Sequence, residues 1–453
     1  MVMVADLVPG LKRCLRAVGL RPVAQQMVLR VMIGFLLHCG RMSCLQAAGS
    51  VRSETRHRAQ VSRLLQRPSF RRLDINSVLR KQLLEHESKR GKFVFLIDAT
   101  LCGQSGKKTE NTYSTGNRQR RPKKGRRYGK QKRARKSCHS FTMGLLITPS
   151  GMRIPWSRPH YTREYCQRKG LTHRTTAQAA ADLIRELPLP EGAEVIVIGD
   201  TAYDAEVIRD VCADRGYTWI FPCNPERVLA GGKPRRRVRS LLKDWSSWRL
   251  QTVRFHPGQG CYVPYRRLSP CRMGPKAKPR TFYVHEERRD VHSVGETRLV
   301  FSTAKRKLAK ATPDDVKILL TNATHLSLRE VVELYALRWQ IELFFKELKS
   351  TLGFHQYQLR NFQSVISWTE LALTTFLYLE WYRAEQLARR RLTDKEKKWW
   401  RHQRTHGLCQ AIRAASQQSE LQYLADRLDT PRGIAKLKRL IRNSFPPEYR
   451  PAA

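Results

Sequence analysis

The chain has 453 residues, of which 86 are Lys or Arg and 38 are Asp or Glu, so its formal net charge is +48. Apolar residues make up 41% of the chain and aromatic residues 9%, which excludes a disordered polycation and predicts two or three folded domains with a very basic surface. So large a positive charge destabilises a compact protein unless a polyanion neutralises it, and nucleic acid is the polyanion that fits best.

The start of the chain shows no targeting or membrane element. Asp6 and Pro9 interrupt the opening segment, which therefore does not predict a signal peptide. The longest uncharged apolar run near the start, residues 31–37, is much shorter than a membrane span. We therefore expect a soluble, cytoplasmic protein that associates with the nucleoid and not with a membrane.

Residues 1–90 predict a helical domain with the element order of a helix-turn-helix motif. Segments 24–38, 44–48 and 56–66 predict a helix, a short helix and, after a turn, a polar helix. Any small helical bundle has the same order, so the charge of the chain is what favours a DNA-binding domain. The predicted DNA contacts of the third helix are Arg56, Arg58 and Arg63.

The next segment, 91–223, predicts a mixed α/β layer. Continuous apolar runs at 93–97 and 195–198 are typical of strands buried on both faces. Segments 140–147 and 152–156 flank a Pro-Ser-Gly turn and predict a hairpin. Helices are also predicted at 175–187 and 202–214, and a further strand at 217–221.

A basic run separates the first predicted strand from the hairpin. Residues 118–136 hold twelve Lys or Arg and no acidic residue. A localisation signal would look similar, but the position inside the α/β layer favours a DNA-binding loop that is mobile without DNA. Its predicted DNA contacts are Arg120, Arg121, Lys123, Lys124, Arg126 and Arg127.

The remainder of the chain predicts an insertion, a return to the α/β layer and a tail. Residues 224–312 hold short β-like pieces between Gly, Pro and charged turns, and we interpret them as a β-rich insertion. Residues 313–361 resume the layer with a buried strand at 316–320 and a long helix that begins at the capping box Ser327-x-x-Glu330 and ends near residue 350. Residues 362–453 predict a basic helical tail.

Cysteine and histidine residues form no metal-binding pattern. The eleven cysteines are scattered and never spaced Cys-x-x-Cys, which argues against a zinc module or a disulfide framework and predicts reduced thiols. The histidines, among them His160 and His173, are spread too widely for a metal cage.

Three acidic residues are placed to act as metal ligands. Asp98 and Asp200 each follow an apolar run, and Glu342 lies in an aromatic helix, where a carboxylate is costly to desolvate unless a cation meets it. Carboxylates could hold two Mg²⁺ ions, with Mn²⁺ as a substitute, and such a pair can promote phosphodiester chemistry. Each residue alone could be a turn former, a cap or part of a solvated face, so their joint occurrence in a basic protein carries the prediction.

The helix around Glu342 adds a pattern of its own. At about 100° per residue, Tyr335, Arg338, Glu342 and Lys349 project from one face within a stripe about 60° wide. Positive groups beside a metal-binding carboxylate suit a phosphate backbone that lies across the site.

These residues carry a resemblance to a known family. Tyr335-x2-Arg338-x3-Glu342-x6-Lys349 resembles the Tyr-Arg-Glu-Lys (YREK) motif of bacterial insertion-sequence transposases of the DDE, ribonuclease-H-like class. The segments Asp98-Ala99-Thr100 and Asp200-Thr201-Ala202-Tyr203 are similar to those around the first and second aspartates of that class. The likeness covers about residues 90–360, and segment 224–312 stands where this group carries its β-rich insertion.

The resemblance implies an α/β, ribonuclease-H-like mixed-sheet catalytic core that cuts and pastes DNA. Metal ions held by Asp98, Asp200 and Glu342 would activate water, and then a freed 3′-hydroxyl, at phosphodiester bonds. Tyr335, Arg338 and Lys349 would bind phosphates near the transposon end. The implied partners are double-stranded DNA, namely the terminal inverted repeats and the target, and a second copy of the chain in a synaptic complex.

Two features leave alternatives open. Some relatives stack a flipped base on a tryptophan shortly before the Glu helix, but no tryptophan lies between residues 249 and 338, so a hairpin intermediate is not implied. Trp339 can equally be a core residue or a stacking surface. The alternative functions are a metal-dependent DNA nuclease on the same core and a non-catalytic DNA-binding protein derived from a transposase.

Overall fold

The structure, a computed structural model, describes residues 9–13, 15–16, 19–38, 58–66, 75–85, 87, 91–104, 108–115, 136–231, 235–255, 280–305, 315–388, 392–428, 431–432 and 434–435. The predicted short helix 44–48, Arg56 and the predicted DNA contacts of the basic run lie outside these residues, as does the side chain of Arg58. The helix-turn-helix motif and the basic loop therefore stay predictions.

The centre of the fold is a mixed sheet, which has ten strands within the described residues. The strands are β1 (Lys92–Gln104), β2 (Tyr113–Thr115), β3 (Lys136–Ile147), β4 (Arg153–Pro159), β5 (Glu194–Ile198), β6 (Thr218–Pro222), β7 (Gln251–Phe255), β8 (Arg280–Val291), β9 (Gly295–Thr303) and β10 (Val316–Thr321). Their order is β2-β3-β1-β5-β6-β10-β9-β8-β7, and β4 pairs with β3. A large mixed sheet with helices is consistent with the predicted ribonuclease-H-like core.

Strand β1 lies in the middle of the predicted core layer. It pairs antiparallel with β3 and parallel with β5, and β5 pairs parallel with β6. The predicted hairpin is confirmed as β3 and β4. The apolar runs 93–97 and 195–198, which predicted β1 and β5, are buried, as expected for strands covered on both faces.

The strands of the predicted β-rich segment continue the same sheet. β7 pairs with β8, β8 with β9, and β9 with β10. Strand β10 then pairs antiparallel with β6 and so joins this extension to the core.

The helices are α1 (Pro22–Leu37), α2 (Arg58–Gln66), α3 (Ile75–Glu85), α4 (Arg163–Lys169), α5 (Thr176–Arg185), α6 (Glu206–Asp214), α7 (Leu328–Ala336), α8 (Trp339–Lys346), α9 (Phe362–Ala388), α10 (Asp394–His402) and α11 (Thr405–Leu428). Three of them begin at capping boxes, α5 at Thr175, α7 at Ser327 and α10 at Thr393. In each box the side chain of the cap residue accepts a hydrogen bond from a backbone N–H of the first turn, which fixes where the helix starts.

The first three helices pack on the long helix α9. Phe35 of α1 contacts Trp368 edge-on, with ring centroids 4.9 Å apart. Asn76 of α3 accepts a hydrogen bond from Thr374, at 2.7 Å. Ser367 donates one to the backbone carbonyl of Leu65 in α2, at 2.9 Å. In the described part of the chain no helix is both long and apolar enough to cross a bilayer.

Two predictions about the elements were wrong. Strand β1 does not end before Asp98 but runs on to Gln104, because β3 pairs with it all the way from Val94 to Gln104. The predicted long helix is interrupted between α7 and α8, where Leu337 and Arg338 donate to the carbonyls three residues earlier, a tighter turn than that of an α-helix. It then ends in a π-helical turn, Glu347–Thr351. No Gly or Pro marks the interruption in the sequence.

Candidate active site

Asp98 and Asp200 stand at the same level of two neighbouring parallel strands. Leu96 of β1 pairs with Ile198 of β5, and each aspartate lies two residues further along its strand direction. The parallel register therefore brings two carboxylates that are far apart in sequence to one edge of the core sheet.

The backbone around Asp200 holds its carboxylate in place. Asp200 caps the short 3₁₀ turn Thr201–Tyr203, and its Oδ1 accepts a hydrogen bond from the Ala202 N–H at 2.9 Å. Gly199 makes this turn possible, since a Cβ there would lie only 2.9 Å from the Cβ of Tyr203. Tyr203 itself is buried.

Arg338 connects two of the three candidate acids. Its Nη1 lies 3.5 Å from Oδ2 of Asp98, and its Nη2 donates a hydrogen bond of 2.5 Å to Oε1 of Glu342. The interruption between α7 and α8 falls at Arg338, so this arginine stands at the junction of the two helices.

The charges of the other two candidate acids act on the pKa of Asp98. Burial raises the pKa of Asp98, and the negative charges of Asp200 and Glu342 raise it further. The Ala99 N–H and the Arg338 guanidinium act in the opposite direction. The carboxylates therefore repel one another, and Arg338 offsets part of that repulsion.

Tyr335 and Lys317 complete the cluster. Burial raises the pKa of Tyr335 to about 12, Arg338 lowers it, and Asp200 and Glu342 raise it. The Nζ atom of Lys317, in β10, lies 4.5 Å from the centre of the Tyr335 ring. The sequence prediction missed Lys317, although a single lysine inside an otherwise apolar strand was a signal that could have been used.

The other predicted contacts lie elsewhere. Lys349 donates a hydrogen bond of 3.0 Å to the carbonyl of Leu101, further along β1 than Asp98. Arg63 is exposed on α2, which packs on α1 and α9. Trp339 is 52% exposed and thus does not belong to the core.

A buried ion cluster supports the segment that follows Asp200, and it too was missed. Asp204 pairs with Arg209 at 2.6 Å and with Arg227 at 2.6 Å, and its side chain is only 3% exposed. Arg209 also donates to the carbonyl of Ser293, in the turn between β8 and β9. The cluster therefore ties the Asp200 turn to the extended part of the sheet.

The donor set suits a hard divalent cation, because carboxylate oxygens are the preferred ligands of Mg²⁺ and Mn²⁺. As the side chains of the described residues stand, no three His, Cys, Asp or Glu are grouped closely enough to hold one ion. The guanidinium of Arg338 lies against two of the three acids instead. No disulfide joins the six cysteines that the structure describes, and all six are buried.

Comparison with protein families gives an independent result. Residues 167–377 match the family described as transposase DDE domain. The matched DDE segment contains Asp200, Tyr335, Arg338, Glu342 and Lys349, and Asp98 precedes it. This part of the chain is therefore similar to the DDE domain of transposases. No curated protein matches the chain.

Proposed function

We propose that the protein is a DNA transposase that moves an insertion sequence by cut-and-paste transposition, through two-metal-ion phosphodiester cleavage and strand transfer. The observation that carries the proposal is that Arg338 contacts both Asp98 and Glu342, while Asp98 lies level with Asp200 in the sheet. Residues 167–377 of the chain also match the transposase DDE domain.

The three acids have one role in this proposal. Asp98, Asp200 and Glu342 would hold two Mg²⁺ ions, or Mn²⁺ in their place, which when bound would stabilise the attacking and leaving oxygens at the scissile phosphate. The Asp200 carboxylate is oriented by the Ala202 N–H, and the Asp98 carboxylate by the Ala99 N–H at 2.8 Å. Both side chains are therefore fixed by their own backbone.

Arg338 has two successive roles. It neutralises Asp98 and Glu342 while no other cation is near them. If those carboxylates held metal ions, the Arg338 guanidinium would be available to bind a DNA phosphate. Tyr335 and Lys349 would bind neighbouring phosphates.

The domain organisation follows the same proposal. Residues 1–90 form a helical DNA-binding domain, with Arg56, Arg58 and Arg63 on DNA. Residues 91–223 and 313–361 form the catalytic core, 224–312 its β-rich insertion and 362–453 the helical C-terminal region. The basic run, from Arg120 to Arg127, binds double-stranded DNA. A second copy of the chain joins the two transposon ends in a synaptic complex.

The test uses the inverted repeats that flank the gene. Purified protein is incubated with Mg²⁺ and DNA that carries these repeats. Excision followed by strand transfer is the expected result. Cleavage without strand transfer would instead indicate a nuclease, and a gel shift without cleavage would indicate a non-catalytic DNA-binding protein.

Single variants test the proposed ligands. Asp98→Asn, Asp200→Asn and Glu342→Gln should each reduce cleavage by about 100-fold or more, because loss of a ligand exceeds the usual effect of losing an outer partner. DNA binding should persist. The matched control is Asp182→Asn, since Asp182 lies on α5 and pairs with the exposed Arg174 and Arg185. Cleavage that survives in the three site variants contradicts the assignment.

A further inference from the structure

Lys317 stands at the same edge of the sheet as the candidate acids. Parallel pairing of β5 and β6 places Pro222 level with Asp200. Strand β10 runs antiparallel to β6, and its Leu319 pairs with Pro222. Lys317 precedes Leu319 by two residues, so it lies two residues beyond the level of Pro222 and Asp200, at the edge of the sheet next to the candidate acids.

The side chain of Lys317 is held beside the site by an aromatic ring. Its ammonium lies 4.5 Å from the ring centre of Tyr335, which is close enough for a cation–π contact. Tyr335 is only 9% exposed, so the packing around it holds the ring in place. Burial lowers the pKa of Lys317 and raises that of Tyr335, and the charge of Arg338 lowers both.

The two cations differ in what they already bind. Arg338 contacts the carboxylates of Asp98 and Glu342. Lys317 is exposed, and within the described residues no carboxylate forms a salt bridge with it, whereas Lys92 pairs with Glu330 at 2.9 Å. Glu342 attracts Lys317 only over a longer distance.

We propose that Lys317 is a phosphate-binding residue of this site and contacts the DNA backbone next to the bond that is cut. Lys317 is an exposed residue whose ammonium lies over the Tyr335 ring, and it offers a phosphate the positive charge that the candidate acids do not. The YREK pattern does not include this lysine. The inference rests on the proposed function insofar as the ligand is DNA.

The first experiment is lysine acylation followed by mass spectrometry. The full chain is acylated with and without a short DNA duplex of arbitrary sequence, in the absence of metal. Acylation of Lys317 should fall when the duplex is present. The control is Lys169, which also lies near a tyrosine ring, 6.0 Å from that of Tyr165, but on α4. Unchanged acylation of Lys317, or equal protection of both lysines, overturns the proposal.

The second experiment measures how duplex binding depends on salt. Lys317→Gln should lower the steepness of log K against log [salt] by about one, since one phosphate contact is lost. Lys317→Arg should restore it, and Lys169→Gln should leave it unchanged. A Lys317→Gln variant with a lower melting temperature but an unchanged salt dependence would show a merely structural role.

The two proposals fail in distinguishable ways. If the wild-type protein cleaves its inverted repeats and Lys317→Gln binds like wild type, only the assignment of Lys317 fails. If the wild-type protein does not cleave DNA but Lys317 is still protected by the duplex, the transposase proposal fails and the phosphate contact stands.

Discussion

Arg338 shows how one side chain can make an acidic site stable before any metal is bound. Like charges that share a site raise one another's pKa values, and Asp98 is raised by both Asp200 and Glu342. A guanidinium is permanently charged and offers several donors in a fixed plane, so it can contact two carboxylates together. A lysine at position 338 would present one ammonium and could not bridge the pair in the same way.

His160 is a second residue whose protonation is determined by its surroundings. Its Nδ1 lies 2.8 Å from the hydroxyl of Ser140, and its Nε2 contacts the hydroxyl of Thr142. Burial, together with the charge of His173, lowers the pKa of His160 to about 4. The imidazole is therefore neutral in the folded protein at neutral pH.

This gives a prediction about the pH dependence of stability. Between the folded pKa of about 4 and the unfolded value of 6.5, the unfolded chain binds more protons at His160 than the folded chain does. The free energy of unfolding should therefore fall as the pH is lowered through this window. His160→Gln should flatten that dependence in urea denaturation series, whereas substitution of the exposed His325 should not. An unchanged slope in His160→Gln would contradict a neutral buried imidazole.

At the scale of elements, the turn that follows α8 is anchored by buried charge. Arg153 of β4 pairs with Glu347 at 2.7 Å and with Glu380 of α9 at 2.7 Å, and Arg383 pairs with Glu380 at 2.7 Å. Burial alone would raise the pKa of Glu380, but Arg383 and Arg153 lower it to about 2. This network joins the hairpin, the π-helical turn and α9, and so fixes the end of the helix that carries Glu342.

Breaking the network should be costly. Arg153→Met leaves the buried Glu347 without this ion pair and leaves Glu380 with Arg383 alone, so we expect a loss of about 3–5 kcal/mol in the free energy of unfolding, measured by urea denaturation. The control is Arg158→Met on the same strand, which breaks an exposed pair with Glu186 and should cost about 0–1 kcal/mol. Equal losses in both variants would show that the buried pairs add nothing specific.

At the scale of the whole molecule, the helices of the two ends of the chain form one layer. Helices α1, α2 and α3 pack on α9, and Arg413 of α11 donates to the carbonyl of Leu36 in α1 at 2.9 Å. The proposed N-terminal DNA-binding domain is therefore in contact with the C-terminal region, and through β4 and α9 with the core sheet.

The net charge of +48 gives a prediction about the whole chain. Duplex DNA should stabilise the folded protein by about 2.7 kcal/mol when its concentration is about 100 times the dissociation constant. At a fixed DNA concentration the gain should shrink as salt is raised, because releasing counterions into a more concentrated salt solution is less favourable. Thermal melting with and without DNA at matched salt concentrations measures it. A melting temperature that DNA leaves unchanged at low salt would contradict a nucleic-acid partner.

The sequence by itself determined the features that depend on neighbouring residues. Apolar runs predicted β1 and β5 because strands covered on both faces need continuous hydrophobic residues. The start of α7 was readable because a capping box involves only four consecutive residues. The resemblance to DDE transposases was readable for the same reason, since Tyr335, Arg338 and Glu342 lie close together in the sequence.

Only the tertiary structure decided which distant groups meet. The length of β1 depends on its pairing with β3, and the interruption before α8 has no local signal. The register of β1 on β5 sets Asp98 level with Asp200, and the folding of α8 onto β1 brings Arg338 to Asp98. Lys317 meets Tyr335 through the pairing of β10 with β6 and the packing of α7. Such contacts depend on which elements pack together, and a pattern of nearby residues carries no information about that.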